Sequence, residues 1–252
     1  MLRMLIKRKK ARTHTEDRRL ALVLATTAGT LNAMALGAFG FFPSHMTGNT
    51  SQLSSEVSNT DFSDILFLSS IILAFVVGSV TSRLLAISGT KNNIRTIFSL
   101  ILLMEGMLLV GTSVFEIMFF SHKNNQEIII FLAFLMGVHN STSTQLSNGR
   151  VRSTHITGTL TDIGIAFGSV VATIFRRDPS KQIKAQRSQL VTHLVTLISF
   201  MLGGIAGLLL YKQFGFNSMA AVGIFLVLVA ISSITVTILV AKKRLLKPHY
   251  LL

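Results

Sequence analysis

The chain has 252 residues, half of them hydrophobic and only 13% charged, yet its 24 Lys and Arg against 10 Asp and Glu give a formal net charge of +14. An ordinary soluble domain is about a quarter charged, and a nucleic-acid binder spreads its basic residues over a solvated face. Here they stand in blocks between long apolar runs, the pattern of a polytopic membrane protein. The lack of cysteine excludes disulfide scaffolds, thiol catalysis and cysteine-based zinc sites.

Residues 1–19 form a basic arm that includes Lys7-Arg8-Lys9-Lys10 and Arg18-Arg19. An anionic lipid surface is its expected partner, and nucleic acid is not. Leu20–Phe42 is the first run long enough for a bilayer core, which needs roughly 20 apolar residues in a helix. It is too long for the apolar core of a cleaved signal peptide and lacks a convincing cleavage site. Beyond it, His45-Met-Thr47-Gly48-Asn49 offers a glycine for a turn and threonines to cap a short polar helix through Asn59. Ile65–Ile87 and Ile94–Phe115 are the next two spans, separated by a turn at Ser88-Gly89. Glu105 lies near the middle of the third span with no lysine or arginine at comparable depth. It must therefore be protonated, paired with a histidine or hydroxyl, or facing water. A proton-titrating or cation-coordinating role competes with that of a structural hydrogen-bond donor.

The fourth span, Ile128–Leu146, starts apolar and turns into His139-Asn-Ser-Thr-Ser-Thr-Gln145. Such a run is poorly tolerated against lipid, so it faces protein or a water-filled cavity, or marks an interrupted helix. After Arg152 come His155-Ile-Thr157-Gly158 and an amphipathic helix to Phe175. It places Leu160, Ile163, Phe167, Val171 and Ile174 on one face and Asp162 largely opposite, and reads as interfacial or re-entrant. A basic connector from Arg176 to Gln189 leads to the spans Leu190–Tyr211 and Met219–Ala241, and a basic tail, 242–252, ends the chain.

Cytoplasmic loops retain Lys and Arg. Of the 24, all but Lys123 and Lys212 fall in the arm, the second loop, the fourth loop and the tail. That places both termini in the cytoplasm, with the protein in the plasma membrane. Counting the amphipathic helix as a seventh span would put the tail outside and spoil this asymmetry.

The chain also repeats itself. Gly29-Thr-Leu-Asn32 recurs as Gly137-Val-His-Asn140, His45-Met-Thr47-Gly48 as His155-Ile-Thr157-Gly158, and Phe75-Val-Val-Gly78 as Phe200-Met-Leu-Gly203. The offsets are 108, 110 and 125, in the same order along the chain. Three spans per copy is an odd number, so the second copy enters the membrane from the opposite side. The expected fold is an all-α integral membrane protein with six transmembrane helices. Two inverted three-helix repeats, residues 20–115 and 128–241, each carry a short amphipathic or re-entrant helix after their first span. Duplication alone, yielding a symmetric bundle, is the alternative.

Gly29…Asn32…His45-Met-Thr-Gly-Asn49-Thr, followed by Gly137…Asn140…Val151-Arg-Ser-Thr-His-Ile-Thr-Gly-Thr-Leu-Thr-Asp162-Ile-Gly164, resembles the YoaK-like family of bacterial multi-pass membrane proteins of unknown function. The resemblance covers about Leu20 to Ala241 and implies a fold but no activity. This chain has Asn32 where the family pattern tends to aspartate, and His139 where glutamine is usual. Proton or cation coupling through that aspartate is therefore not carried over.

Inverted repeats place substrate near the midplane between the copies. The expected function is small-solute secondary transport, and the alternative is a non-transporting scaffold or partner subunit. Candidate substrate-binding residues are Asn32, His45, Thr47, Gly48, Asn49, Glu105, His139, Asn140, Arg152, His155, Thr157, Gly158 and Asp162. The histidines are dispersed and no hydrolase, nucleotide or dinucleotide fingerprint occurs, so neither enzyme activity nor a metal or other cofactor is expected. Gly164-x-x-x-Gly168 and Gly203-x-x-x-Gly207 allow close helix approach, within the bundle or in a homodimer.

Overall fold

The computed structural model describes Leu5 and residues 12–119, 125–176 and 181–245. The basic residues Lys7 to Lys10, Lys123, Arg177 and Lys247 lie outside the described residues. Eight helices and no strand occur among those described. In chain order they are α1 (His14–Phe39), α2 (Met46–Asn59), α3 (Phe62–Lys91), α4 (Ile97–Phe119), α5 (Asn125–Ser147), α6 (Ile156–Arg176), α7 (Lys181–Phe214) and α8 (Phe216–Leu245).

Local chemistry fixes the helix ends. The Thr13 hydroxyl accepts from the Glu16 amide while the Glu16 carboxylate accepts from the Thr13 amide, a capping box that starts α1 six residues before its apolar run. Gly40, in the left-handed region at φ 69°, ends it. The first span thus lies earlier than Leu20–Phe42, because Gly40 terminates the helix and leaves Phe41 and Phe42 in a connector. Asp61 caps α3 by accepting from the Ser63 and Asp64 amides. Two expected connectors are helical instead: Ser88-Gly89 belongs to α3, and residues 181–189 belong to α7. Gly89 sits where a Cβ would collide with Ile97 of α4, so it serves packing rather than a turn.

Among the described residues, six helical segments are long and apolar enough to cross a bilayer: His14–Phe39, Phe62–Lys91, Ile97–Phe119, Ile156–Thr173, Ala185–Phe214 and Phe216–Lys242. The number matches the expectation but the set does not, since α6 replaces α5. The polar run from His139 lowers the apolarity of α5. It is accommodated because His139, Thr142, Ser143 and Ser147 are fully buried against other helices.

The main pairings are α1 on α7, α3 on α5 and α4 on α8, with α2 packed on α3 and α6 on α7. Smaller contacts join α1 to α5 and α8, α4 to α3 and α5, and α7 to α8. Small residues bring backbones together, as is usual where lipid supplies no hydrophobic drive between helices. A Cβ on Gly29 would collide with the Phe200 carbonyl, and one on Gly137 with that of Phe75. The Gly203-x-x-x-Gly207 pair packs inside the bundle on Thr26 and Thr30, whereas Gly164 and Gly168 face open space. Leu24, Met34, Leu102 and Met136 are wholly or almost wholly buried, while Leu66, Leu73, Leu209, Leu228 and Ile165 are exposed. Apolar side chains outside and hydroxyls inside is the arrangement a bilayer selects. The apolar face expected on α6 is outward too: Leu160 and Phe167 are exposed and Ala166 is buried.

Candidate functional site

A cavity of about 640 Å³ opens where the α1–α2 connector meets the α5–α6 connector. Both connectors are built the same way. Asn32 of α1 accepts hydrogen bonds at Oδ1 from the Ser44 amide (3.1 Å) and hydroxyl (2.8 Å). Asn140 of α5 accepts at Oδ1 from the Thr154 amide (3.3 Å). Each carboxamide thus ties the backbone just after its helix to the side of that helix. The next residue, His45 or His155, turns the chain: the His45 amide donates to the Phe42 carbonyl, the His155 amide to that of Arg152. The Asn49 and Thr159 amides then donate to the two histidine carbonyls and begin α2 and α6. Each imidazole folds over the first turn it starts, so a Cβ on Gly48 or Gly158 would collide with the ring. The glycine in His-x-x-Gly is therefore a seat for the histidine. His45 makes no capping hydrogen bond with its side chain.

Of the candidate residues, Asn32, His45, Thr47, Asn140, Arg152, His155 and Thr157 line this cavity. Gly48 and Gly158 lie immediately behind, under the imidazoles. Asp162 is one step removed, its Oδ2 3.0 Å from Nη2 of Arg152, both side chains about one-third exposed. Asn49 is buried in α2 and its Nδ2 has no partner. Glu105 and His139 are not on the cavity; they pair with each other.

That pair spans three helices. His139 Nδ1 lies 2.6 Å from Glu105 Oε1, and its Nε2 lies 2.9 Å from the Leu24 carbonyl. A carbonyl only accepts, so Nε2 carries a proton. The short Nδ1–Oε1 bond then needs one more, held by either partner, and the pair is neutral overall. Glu105 Oε2 is buried without a partner. The three-way choice left open for Glu105 resolves to histidine pairing.

Eight lining residues were not among the sequence candidates, including Ser44 and Thr154, which donate to the asparagines' oxygens, and Phe75 and Phe200. The phenylalanines were visible as repeat markers ahead of Gly78 and Gly203. Asp17 was missed as well. It is fully buried between Arg12 (3.0 Å) and Arg150 (2.9 Å), and Arg150 also donates to the Arg12 carbonyl. This cluster pins the α5–α6 connector to the start of α1. Among the described residues no three His, Asp or Glu side chains gather as a metal site.

A helical bundle with an apolar exterior, six segments able to cross a bilayer and a polar cavity inside is a multi-pass membrane protein. The chain belongs to the family described as protein of unknown function DUF1275, whose sequence profile matches residues 20–232. No curated protein and no solved structure matches it.

Proposed function

We propose that the protein is a small-solute secondary transporter of the plasma membrane, its two halves forming an inverted repeat around the cavity. The observation that carries this reading is that matching positions of both halves line one cavity: Asn32 with Asn140, His45 with His155, Thr47 with Thr157, Phe75 with Phe200. The helix pairings support it. Exchanging α1–α4 with α5–α8 turns α1 on α7 into α5 on α3, α2 on α3 into α6 on α7, and leaves α4 on α8 unchanged. The glycine contacts follow the same rule, Gly29 on Phe200 exchanging with Gly137 on Phe75.

With the short helices counted, each unit has four helices, three of which cross. α2 and α6 begin at the cavity and act as half-helices whose first turns face the solute, as in transporters with broken helices. α5 crosses in spite of its polar run, and α6 does not cross. The charge distribution puts both termini in the cytoplasm. Rocking of one half against the other would open the cavity to each side in turn.

The test is flux. Full-length protein in proteoliposomes is screened against pools of small polar and charged solutes, with Asn32→Ala/Asn140→Ala as control. Saturable uptake that the double variant loses is expected. Absence of solute-dependent flux from every pool sinks the reading.

A further inference from the structure

We propose that the cavity binds an organic anion, a carboxylate carrying a small apolar body. This specifies the substrate class for the transporter reading, and it rests on that reading only for the consequence of binding. The strongest argument is the set of hydrogen-bonding groups left over. Asn32 is only 7% exposed and uses Oδ1 as acceptor for the Ser44 amide and hydroxyl. Its orientation is therefore fixed, because the Ser44 amide can only donate. The Nδ2 donors have no partner and belong to the cavity lining. Asn140, held by the Thr154 amide, is oriented in the same way and offers a second unpaired Nδ2.

Arg152 adds the only cation among the lining residues. Its bond to Asp162 engages Nη2, and a guanidinium carries five N–H donors in a fixed fork. No Asp or Glu lines the cavity. Outside the lining, Asp162 pairs with Arg152, and His193 lies close enough to both to interact with them electrostatically. The first turns of α2 and α6 add backbone donors on the same space. A rim of leftover donors calls for an acceptor, and a cation or an ammonium-bearing zwitterion would find no carboxylate to pair with.

The apolar part of the lining sets the rest of the ligand. Phe75 and Phe200, at matching positions of the two halves, line the same cavity as Met46 and Ile156. Inorganic phosphate or sulfate would leave that surface wet, whereas a ring or branched chain removes it from water at about 25 cal/mol per Å². The carboxylate sits at Arg152 and the asparagine amides, and the body sits against the two phenylalanines.

Benzoate tests this on the detergent-purified full chain, by equilibrium dialysis of the labelled acid. Isovalerate, benzamide and inorganic phosphate serve as competitors. Saturable benzoate binding in the millimolar range or tighter is expected, displaced by isovalerate. Benzamide has the same ring without the charge and should compete at least about tenfold more weakly, the worth of one charge-assisted hydrogen bond. Arg152→Gln should weaken benzoate by a similar factor, and the benzamide comparison stands even if that variant misfolds. Equal competition by benzamide, better competition by phosphate than by isovalerate, or no saturable binding of benzoate would each overturn the proposal. Benzoate binding without flux would remove the transporter reading and keep the anion site. Flux of neutral solutes without benzoate binding would do the reverse.

Discussion

Glu105 and His139 illustrate what one residue pair needs in a bilayer interior. Both side chains are almost completely buried, and His139 is held at both nitrogens. Glu105→Ala leaves Nδ1 without a partner, a loss of about 1–3 kcal/mol. In Glu105→Gln the amide can donate to a neutral imidazole, so most of that stability should survive. Melting temperatures in detergent check the ranking, and an alanine variant as stable as the glutamine one contradicts the assignment. The corresponding positions of the other half are apolar: Val222 precedes Gly223 as Glu105 precedes Gly106, and Leu31 precedes Asn32 as His139 precedes Asn140. Glu105→Val with His139→Leu should therefore cost far less than Glu105→Ala alone, since replacing both members of a buried polar pair is nearly neutral. The sequence marked each residue as unusual. Their mutual bond was invisible, because residues 34 apart on different helices acquire a distance only once α4 packs on α5.

The helices show a similar division. Apolar runs locate α3, α4 and α8 within a few residues, because a bilayer demands apolarity along the whole crossing. They misplace the start of α1, where Thr13 and Glu16 rather than hydrophobicity decide, and the hydropathy of the whole helices selects α6 over α5, whose polar run is buried against protein. Packing between elements then depends on glycines whose role periodicity does not reveal. Gly137→Ala, at the Phe75 carbonyl, should destabilise by roughly 1–3 kcal/mol or more through overpacking. Gly111→Ala, with open space around it, should be neutral or stabilising by up to about 1 kcal/mol, the helix-propensity difference. Heat challenge followed by size-exclusion chromatography separates the two, and equal behaviour would refute the close approach of α3 and α5. Asp17→Ala belongs to the same scale, since it cuts the tie between α1 and the α5–α6 connector. With Arg12 buried and the Arg150 side chain about one-third exposed, a loss of about 3 kcal/mol is expected, the low end for breaking a buried pair. A variant melting with the wild type would show that the cluster carries no weight.

For the whole molecule, three short motifs keep their order in both halves of the sequence, and the cavity lies where two of those motifs meet. The proposed six crossings, with α6 adding none to that of α5, have the sharpest test. The chain has no cysteine, so single cysteines can be introduced without a background and probed in intact cells with a membrane-impermeant maleimide. Ser58 lies in the last turn of α2, Asn92 follows α3, Gln189 lies in the first half of α7 and Gln213 near its other end; all four are exposed. With α5 crossing and α6 lying against α7 on the cytoplasmic side, Ser58→Cys and Gln213→Cys label from outside. Asn92→Cys and Gln189→Cys label only after the membrane is opened. A crossing α6 in addition to α5 would invert everything beyond it, making Gln189→Cys the externally labelled site and hiding Gln213→Cys. It would also place the basic residues after Arg176 outside, against the Lys and Arg bias. Because Ser58 and Asn92 precede the disputed segment, their labelling fixes the orientation of the first half independently. The second pair then reports whether α6 crosses in addition to α5.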